Sequence, residues 1–360
     1  MTISDETINK AVQRYHREYD RYLKLCARVA EICRTEVVEG NAIRAQVTSR
    51  AKSPKSLEGK LRRFAASGKK VIADVDAVFS QIRDLAAVRI ATYEQRHEDE
   101  VVQSVCNRFL NPEGLRLAPE RMDKSIQNPT NFYRATHIEV FLPPSDVVGT
   151  YANVADVPCE IQVCSMMGHV WNEIEHDLGY KPLEGNLSEQ ERSLLVMLGQ
   201  SVRLGDGTIA NLFAATERRQ KEQGGAFTDV YDFVARVRGW FPDVDFGRHA
   251  GGLFVSLQPL RLVTPDSIHK QIAVVEPMTQ QGLLALDALA ANLVARGETR
   301  FELDRNSSDV LLVLLLPKIG KHLAASTADG VTDGAARVRW FAECFQELQT
   351  TEGRADAPAS

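Results

Sequence analysis

Apolar positions near the start of the chain recur at helical spacing from residue 4 to residue 37. Ile8, Val12, Tyr15, Tyr19, Tyr22, Cys26, Val29 and Cys33 mark one face, and Asp5 and Glu6 complement the N-terminal dipole. Gly40 is a stop signal, and Ile43 to Thr48 reads as a strand. Pro54 and Ser56 then start a helix over Ser56 to Phe64, which puts Lys60 and Arg63 one turn apart. A strand over Leu85 to Tyr93, with Arg89 near its middle, precedes a helix over Glu98 to Phe109. The acidic run His97-Glu98-Asp99-Glu100 serves the dipole of the helix it opens. A short strand near Leu115 and an apolar, central strand over Thr136 to Phe141 follow. The stretch Pro158 to Lys181, PCEIQVCSMMGHVWNEIEHDLGYK, changes period midway. Its opening residues form a strand with Glu160 and Gln162 on one face. From Ser165, Met167, Val170, Trp171, Ile174 and Leu178 take helical spacing, while His169, Asn172, Glu173 and His176 fall on another face.

Ser188 with Glu191 makes a capping box for a helix carrying Leu194, Leu195, Leu198 and Val202, and a further helix runs to about Gln223. Gly224-Gly225 marks a boundary, giving a first domain over residues 1–225, an accessory domain over 226–348 and a disordered tail over 349–360. In the accessory domain, strand-like runs at Gly252 to Leu257, Ile272 to Val275 and Val310 to Leu316 alternate with helical patterns at Leu283 to Ala295 and Ala335 to Leu348. That alternation predicts a second, smaller α/β domain.

Length narrows the picture to two or three domains, since the chain has 360 residues, 44% of them hydrophobic and 25% charged. The longest purely apolar run, Val310 to Leu316, is too short to cross a bilayer, and the charged N-terminal stretch has no signal-peptide core. The expectation is a cytoplasmic protein with no membrane partner. Cys26, Cys33, Cys106, Cys159, Cys164 and Cys344 form no C-x-x-C pair and read as buried thiols in a reducing compartment, with no zinc site. A net charge of −5 excludes a surface that coats nucleic acid generally, so nucleotide chemistry must use a local cluster. Arg50, Lys52, Lys60 and Arg63 supply one around a strand-to-helix turn. Asp84 and Glu160 are strand-end carboxylates suited to Mg²⁺, which takes a few carboxylates plus substrate oxygens. Tyr133, beside Arg134 and ahead of His137, offers a face for stacking on a base. Singly, each has an ordinary reading as a solvated face, a turn cap or a packing residue.

In order, these residues spell R-x-K-x-x-x-S-x-x-x-K at Arg50 to Lys60, D-L-A-A-V-R at Asp84 to Arg89 and Y-R-A-T-H at Tyr133 to His137. E-I-Q-V at Glu160 to Val163 and W-x-x-x-E-H-x-x-x-Y-K at Trp171 to Lys181 complete the series. The set resembles the synthetase domain of the RelA/SpoT family over roughly residues 40 to 185. The resemblance implies a nucleotidyltransferase-like mixed sheet wrapped by helices, and transfer of pyrophosphate from ATP to the 3′-hydroxyl of an acceptor nucleotide, GDP or GTP. By similarity Arg50 and Arg89 would sandwich the adenine, while Lys52, Ser56, Lys60 and Arg63 would hold the triphosphate. Asp84 and Glu160 would carry Mg²⁺, with Glu160 also accepting the hydroxyl proton. Tyr133 would stack on the acceptor base, with His137, Gln162 and Glu175 completing that pocket.

Departures cluster on the acceptor side. Phe132 stands where the family usually has Gly, Cys164-Ser165 where it has Arg-Thr, and His169 at a position often Asn in the guanine pocket. They leave open an acceptor at the 3′ end of tRNA or an adenosine nucleotide, with the C-terminal half as a fused neutraliser or sensor. A homo-oligomer and a regulator bound by that half stay open too. Two further readings compete: hydrolysis at an HD-type metal site using His176-Asp177, and a silent nucleotide-binding regulator. The first lacks a preceding histidine pair, and the second would have no need of the metal-binding carboxylates.

Overall fold

In the computed structural model, which describes residues 3–68, 70–109, 117–179, 187–272, 277–326 and 333–355, strands β1 (Ala45–Ala51), β2 (Ala86–Thr92), β3 (Glu120–Asp123), β4 (Arg134–Val140) and β5 (Cys159–Ser165) form a mixed sheet. Their order is β1-β2-β5-β4-β3. The β2–β5 pair is parallel and the others are antiparallel. Side chains in register alternate between faces. Val88, Ile90, Ile161, Val163, Ile138 and Val140 share the apolar face and are buried. The opposite face carries Arg50, Arg89, Glu160, Gln162, His137 and Glu139. That division of the sheet positions the chemistry.

The chain forms two compact units, one of Met1–Arg34 with Arg44–Asn211 and the other of Thr35–Ile43 with Leu212–Ser360. In the first, α1 (Asp5–Ile32) lies against β1 and β2, with Tyr15, Leu25, Cys26 and Val29 buried. Ser4 caps it by accepting from the Thr7 N–H at 3.1 Å, and a π-helical turn, Cys33–Glu39, continues it. α2 (Pro54–Ser67) begins earlier than Ser56 because Ser53 is its cap, with Pro54 in the first turn. α3 (Val75–Gln81), capped by Asp74, has no counterpart in the sequence pattern, being too short to show a period. α4 (His97–Arg108) and α5 (Met166–Gly179) match expectation. The strand expected near Leu115 lies outside the described residues, as do Tyr180 and Lys181. The two helices expected after Ser188 are one, α6 (Glu189–Lys221), opened by the predicted capping box. Gly224-Gly225 lies just past its end.

The second unit holds α7 (Val230–Val237), α8 (Ala250–Leu257), α9 (Pro265–His269), α10 (Met278–Ala295), α11 (Asp309–Ala325) and α12 (Asp333–Ala355). Among the described residues it is helical, which corrects the expected α/β accessory domain. Gly252 to Leu257 belongs to α8, and Val310 to Leu316 to α11; the run Ile272 to Val275 extends into residues 273–276, outside those described. Every residue from Val310 to Leu316 is buried, and an element enclosed on all sides shows no alternation to separate helix from strand. The helical sign lies beyond the run, where Ile319 and Leu323 continue the buried positions at helical spacing. Gly252 disfavours a helix in the sequence pattern, but in α8 it packs so tightly that a Cβ would collide with the Gly334 backbone. α12 continues through the start of the expected tail to Ala355, and residues 356–360 lie outside those described. Among the described residues no helix is long and apolar enough to cross a membrane.

Candidate active site

Asp84 sits in a single 3₁₀ turn, Arg83–Leu85, that feeds β2. Its backbone (φ −93°, ψ 28°) lies in the sparsely populated bridge region. The Lys52 and Lys60 ammonium groups each lie 2.8 Å from its carboxylate, one on each oxygen. Burial alone would raise the Asp84 pKa; attraction to Lys60 and Lys52, with hydrogen bonds from both, outweighs it and holds the carboxyl below its ordinary value. Lys52 follows β1, and its N–H donates to the Leu85 carbonyl at 2.9 Å. Tyr15 of α1 ties the two turns together, its hydroxyl lying 2.7 Å from the Lys52 carbonyl and 3.1 Å from that of Leu85. Sequence periodicity assigns Tyr15 only to an apolar stripe, and nothing in the pattern signals this polar tip.

Glu160 opens β5 directly opposite Ala87 of β2, so the parallel pairing brings it beside the Asp84 turn. Its Oε1 lies 3.2 Å from His137 Nδ1, and its Oε2 accepts from the Gln162 amide at 2.6 Å. Burial raises the Glu160 pKa and the Asp84 charge adds to the rise, but the His137 and Gln162 contacts prevail and lower it. Two carboxylates remote in sequence thus lie within electrostatic reach of each other. On its other side the His137 ring, through Nε2, lies 2.8 Å from the Tyr133 hydroxyl, so Tyr133, His137 and Glu160 form one hydrogen-bonded chain. Burial, and next the Glu160 charge, push the Tyr133 phenol up to about 12, so it stays a donor.

The remaining residues lie around this pair. Ser56 is in the first turn of α2, where its N–H donates to Ser53 Oγ at 3.2 Å, at a helix end suited to anions. Arg50 and Arg63 are exposed, Arg50 on the polar sheet face and Arg63 on α2. Arg89 is held by Glu173 of α5 at 2.7 Å and lies 3.4 Å from Gln162. His169 of α5 is half-buried; burial and the Arg89 charge lower its pKa, and its Nδ1 is buried without a hydrogen-bond partner. Glu175 is near enough to Tyr133 to raise the phenol pKa. Three contacts escape the motif reading: Glu173 on Arg89, Lys124 Nζ at 4.3 Å from the Tyr133 ring centroid, and Glu139 at 3.3 Å from Arg83. None has a sequence signal, because each depends on sheet register or loop path.

Asp84 and Glu160 offer hard oxygen donors and no thiolate or imidazole cage. Among the described residues no group of three or more His, Cys, Asp or Glu is placed to hold a metal. A carboxylate pair beside a cationic pocket fits Mg²⁺, which completes its shell with water and substrate phosphate oxygens. His176 pairs with Asp177 at 3.5 Å, with their side chains 41% and 66% exposed, which is poor support for an HD-type centre.

Comparison with known proteins finds a family match over the part of the chain that carries these residues. Residues 49–184 match the RelA_SpoT model, described as a region found in RelA / SpoT proteins. The chain is similar to small alarmone synthetase 1 from Bacillus subtilis, with 20% identity over 57% of this chain and 98% of that one at a TM-score of 0.44. It is also similar to a GTP pyrophosphokinase family protein from Streptococcus pneumoniae (19% identity, 57% and 96% covered, TM-score 0.43). A third similar structure is the Bacillus subtilis small alarmone synthetase 1 bound to its product pppGpp (18% identity, 57% and 99% covered, TM-score 0.42). No curated protein matches the chain.

Proposed function

We propose that this protein, whose residues 49–184 match the model of a region found in RelA / SpoT proteins, is a pyrophosphokinase that transfers the β,γ-pyrophosphate of ATP to the 3′-hydroxyl of an acceptor nucleotide, GDP or GTP. The observation that carries the reading is the approach of Asp84, in the turn before β2, to Glu160 of β5, with Lys52 and Lys60 on the Asp84 carboxylate.

The acceptor 3′-oxygen attacks the β-phosphorus, the bond from that phosphorus to the α,β-bridging oxygen breaks, and AMP leaves with the electron pair. Glu160 takes the hydroxyl proton; its lowered pKa keeps it ionised and ready at neutral pH, and His137 holds the carboxylate in place. Lys52, Lys60, Ser56 and Arg63 bind the triphosphate, and Arg50 with Arg89 binds the adenine. Both ammonium groups rest on Asp84, so a triphosphate entering there meets cations already oriented and partly desolvated. Asp84 and Glu160 would hold Mg²⁺, which would supply charge neutralisation for the triphosphate. Tyr133 stacks on the acceptor base, with His137, Gln162, His169 and Glu175 around it.

The test is incubation of the full chain with labelled ATP and GDP, GTP, ATP or tRNA in turn, alongside Asp84→Asn and Glu160→Gln. Expected is label on GDP or GTP with AMP released, and a loss of about 10²–10³ in rate in each variant without loss of fold. Transfer to tRNA or to adenosine nucleotides alone would overturn the acceptor assignment. Undiminished transfer by either variant would remove that carboxylate from the site.

A further inference from the structure

Phe132 precedes Tyr133, assigned above to stack on the acceptor base, and packs on Trp171 of α5 and on α6. Its ring lies 6.0 Å from Trp171 at 61°, and the Arg203 guanidinium of α6 sits 4.7 Å above it. On α6 the ring meets Gly199, where an added Cβ would overlap it. Phe132, Trp171 and Val202 form a separate small core, against which Tyr133 itself packs with Met167, Val196 and Leu198.

Other contacts set the register of α6 on this patch. Trp171 Nε1 donates to the Leu195 carbonyl at 3.1 Å, Ser165 Oγ donates to Asp206 at 3.1 Å, and a Cβ at Gly205 would lie 2.6 Å from Met167 Cε. The Tyr133 backbone is pinned on both sides, its N–H to Asn131 Oδ1 and its carbonyl to the Lys124 N–H, each at 3.0 Å. Those bonds lie within the loop and fix its shape. The wedge of Phe132 on Gly199 ties that loop to a helix.

We propose that Phe132, wedged between Gly199 and Arg203 of α6, is a positioning residue that sets where Tyr133 presents its ring, so that α6 governs acceptor affinity without touching the acceptor. The proposal rests on Tyr133 being the stacking residue. A ring that moves by a fraction of an ångström loses overlap with a base but leaves the distant ATP-side lysines in place. The wedge therefore acts on acceptor binding more than on ATP binding or turnover.

The test uses full-length protein carrying Phe132→Leu, Gly199→Ala or both, with steady-state kinetics on ATP and on GDP, or on whichever acceptor the wild type uses. Each single variant is expected to raise the acceptor KM about tenfold while kcat and the ATP KM stay within about twofold. The double variant, in which the shorter side chain makes room for the new methyl group, should regain part of the loss. An unchanged acceptor KM overturns the proposal, as does a parallel change in kcat and both KM values in folded protein. Should Gly199→Ala fail to fold, Phe132→Leu carries the test alone. If the wild type transfers to none of the acceptors, the functional reading fails separately. Amide exchange over residues 128–135 then decides the wedge: faster exchange in Phe132→Leu supports it, and unchanged exchange overturns it.

Discussion

Glu98, in the first turn of α4, is only 7% exposed, and its Oε2 lies 3.1 Å from Arg134. Burial drives its pKa up to about 7 despite Arg134, with the Asp206 and Asp99 charges adding to the rise. The unfolded chain releases this proton near 4.5, whereas the folded protein keeps it to about 7. Between those values the native state binds more protons, so this group's contribution to stability falls as pH rises. The penalty is absent below the unfolded pKa and complete above the folded one, at about 3 kcal/mol. Glu98→Gln removes the buried charge and keeps an acceptor for Arg134. The attraction to Arg134, weakened because that side chain is 47% exposed, is already contained in that net penalty. Above neutrality the variant should gain about 3 kcal/mol, and near pH 5 no more than about 1 kcal/mol. Urea unfolding of both proteins at about pH 5 and about pH 8, taken as a difference, cancels the other titrating groups. A difference independent of pH, or one favouring the wild type at the higher pH, would refute the argument.

Lys60→Met strips one ammonium from Asp84 and one cation from the proposed triphosphate site; isothermal titration with a non-hydrolysable ATP analogue should show affinity weakened about tenfold or more, with the fold intact. In the second unit, Asp309 is 2% exposed and bound by the buried Arg337 guanidinium at 2.6 Å. Asp309→Asn leaves that guanidinium without a full counter-charge and should cost about 3–5 kcal/mol in urea unfolding. Burial raises the Asp309 pKa, but Arg337 and His249 overcome it and hold the carboxyl well below the ordinary carboxylate range. Its stabilisation is present above the unfolded pKa of about 4 and should erode as acid is added below that, an erosion the variant should lack.

Sequence legibility followed how many neighbours each element has. Strands β4 and β5 could be read because polar side chains stand at alternate positions, His137 and Glu139 in one and Glu160 and Gln162 in the other, whereas in β2 Arg89 alone interrupts a buried run. α11 hid its period because it is enclosed on every side, and α8 was obscured by glycines that serve close packing. Charged residues misled where burial reverses their meaning. The acidic start of α4 reads as a complement to the helix dipole, yet Glu98 is buried against Arg134. The motifs could nominate Asp84 and Glu160 but could not bring them together. That depends on β5 running parallel to β2 with Glu160 opposite Ala87, although α4, β3 and β4 intervene in the chain. A one-residue slip in that pairing would turn Glu160 and Gln162 onto the apolar face beneath α1 and separate both from His137. The parallel register is therefore the link through which separate motifs become one site. Phe132 extends the same reasoning beyond the sheet, because its partner Gly199 carries no side chain to announce the contact.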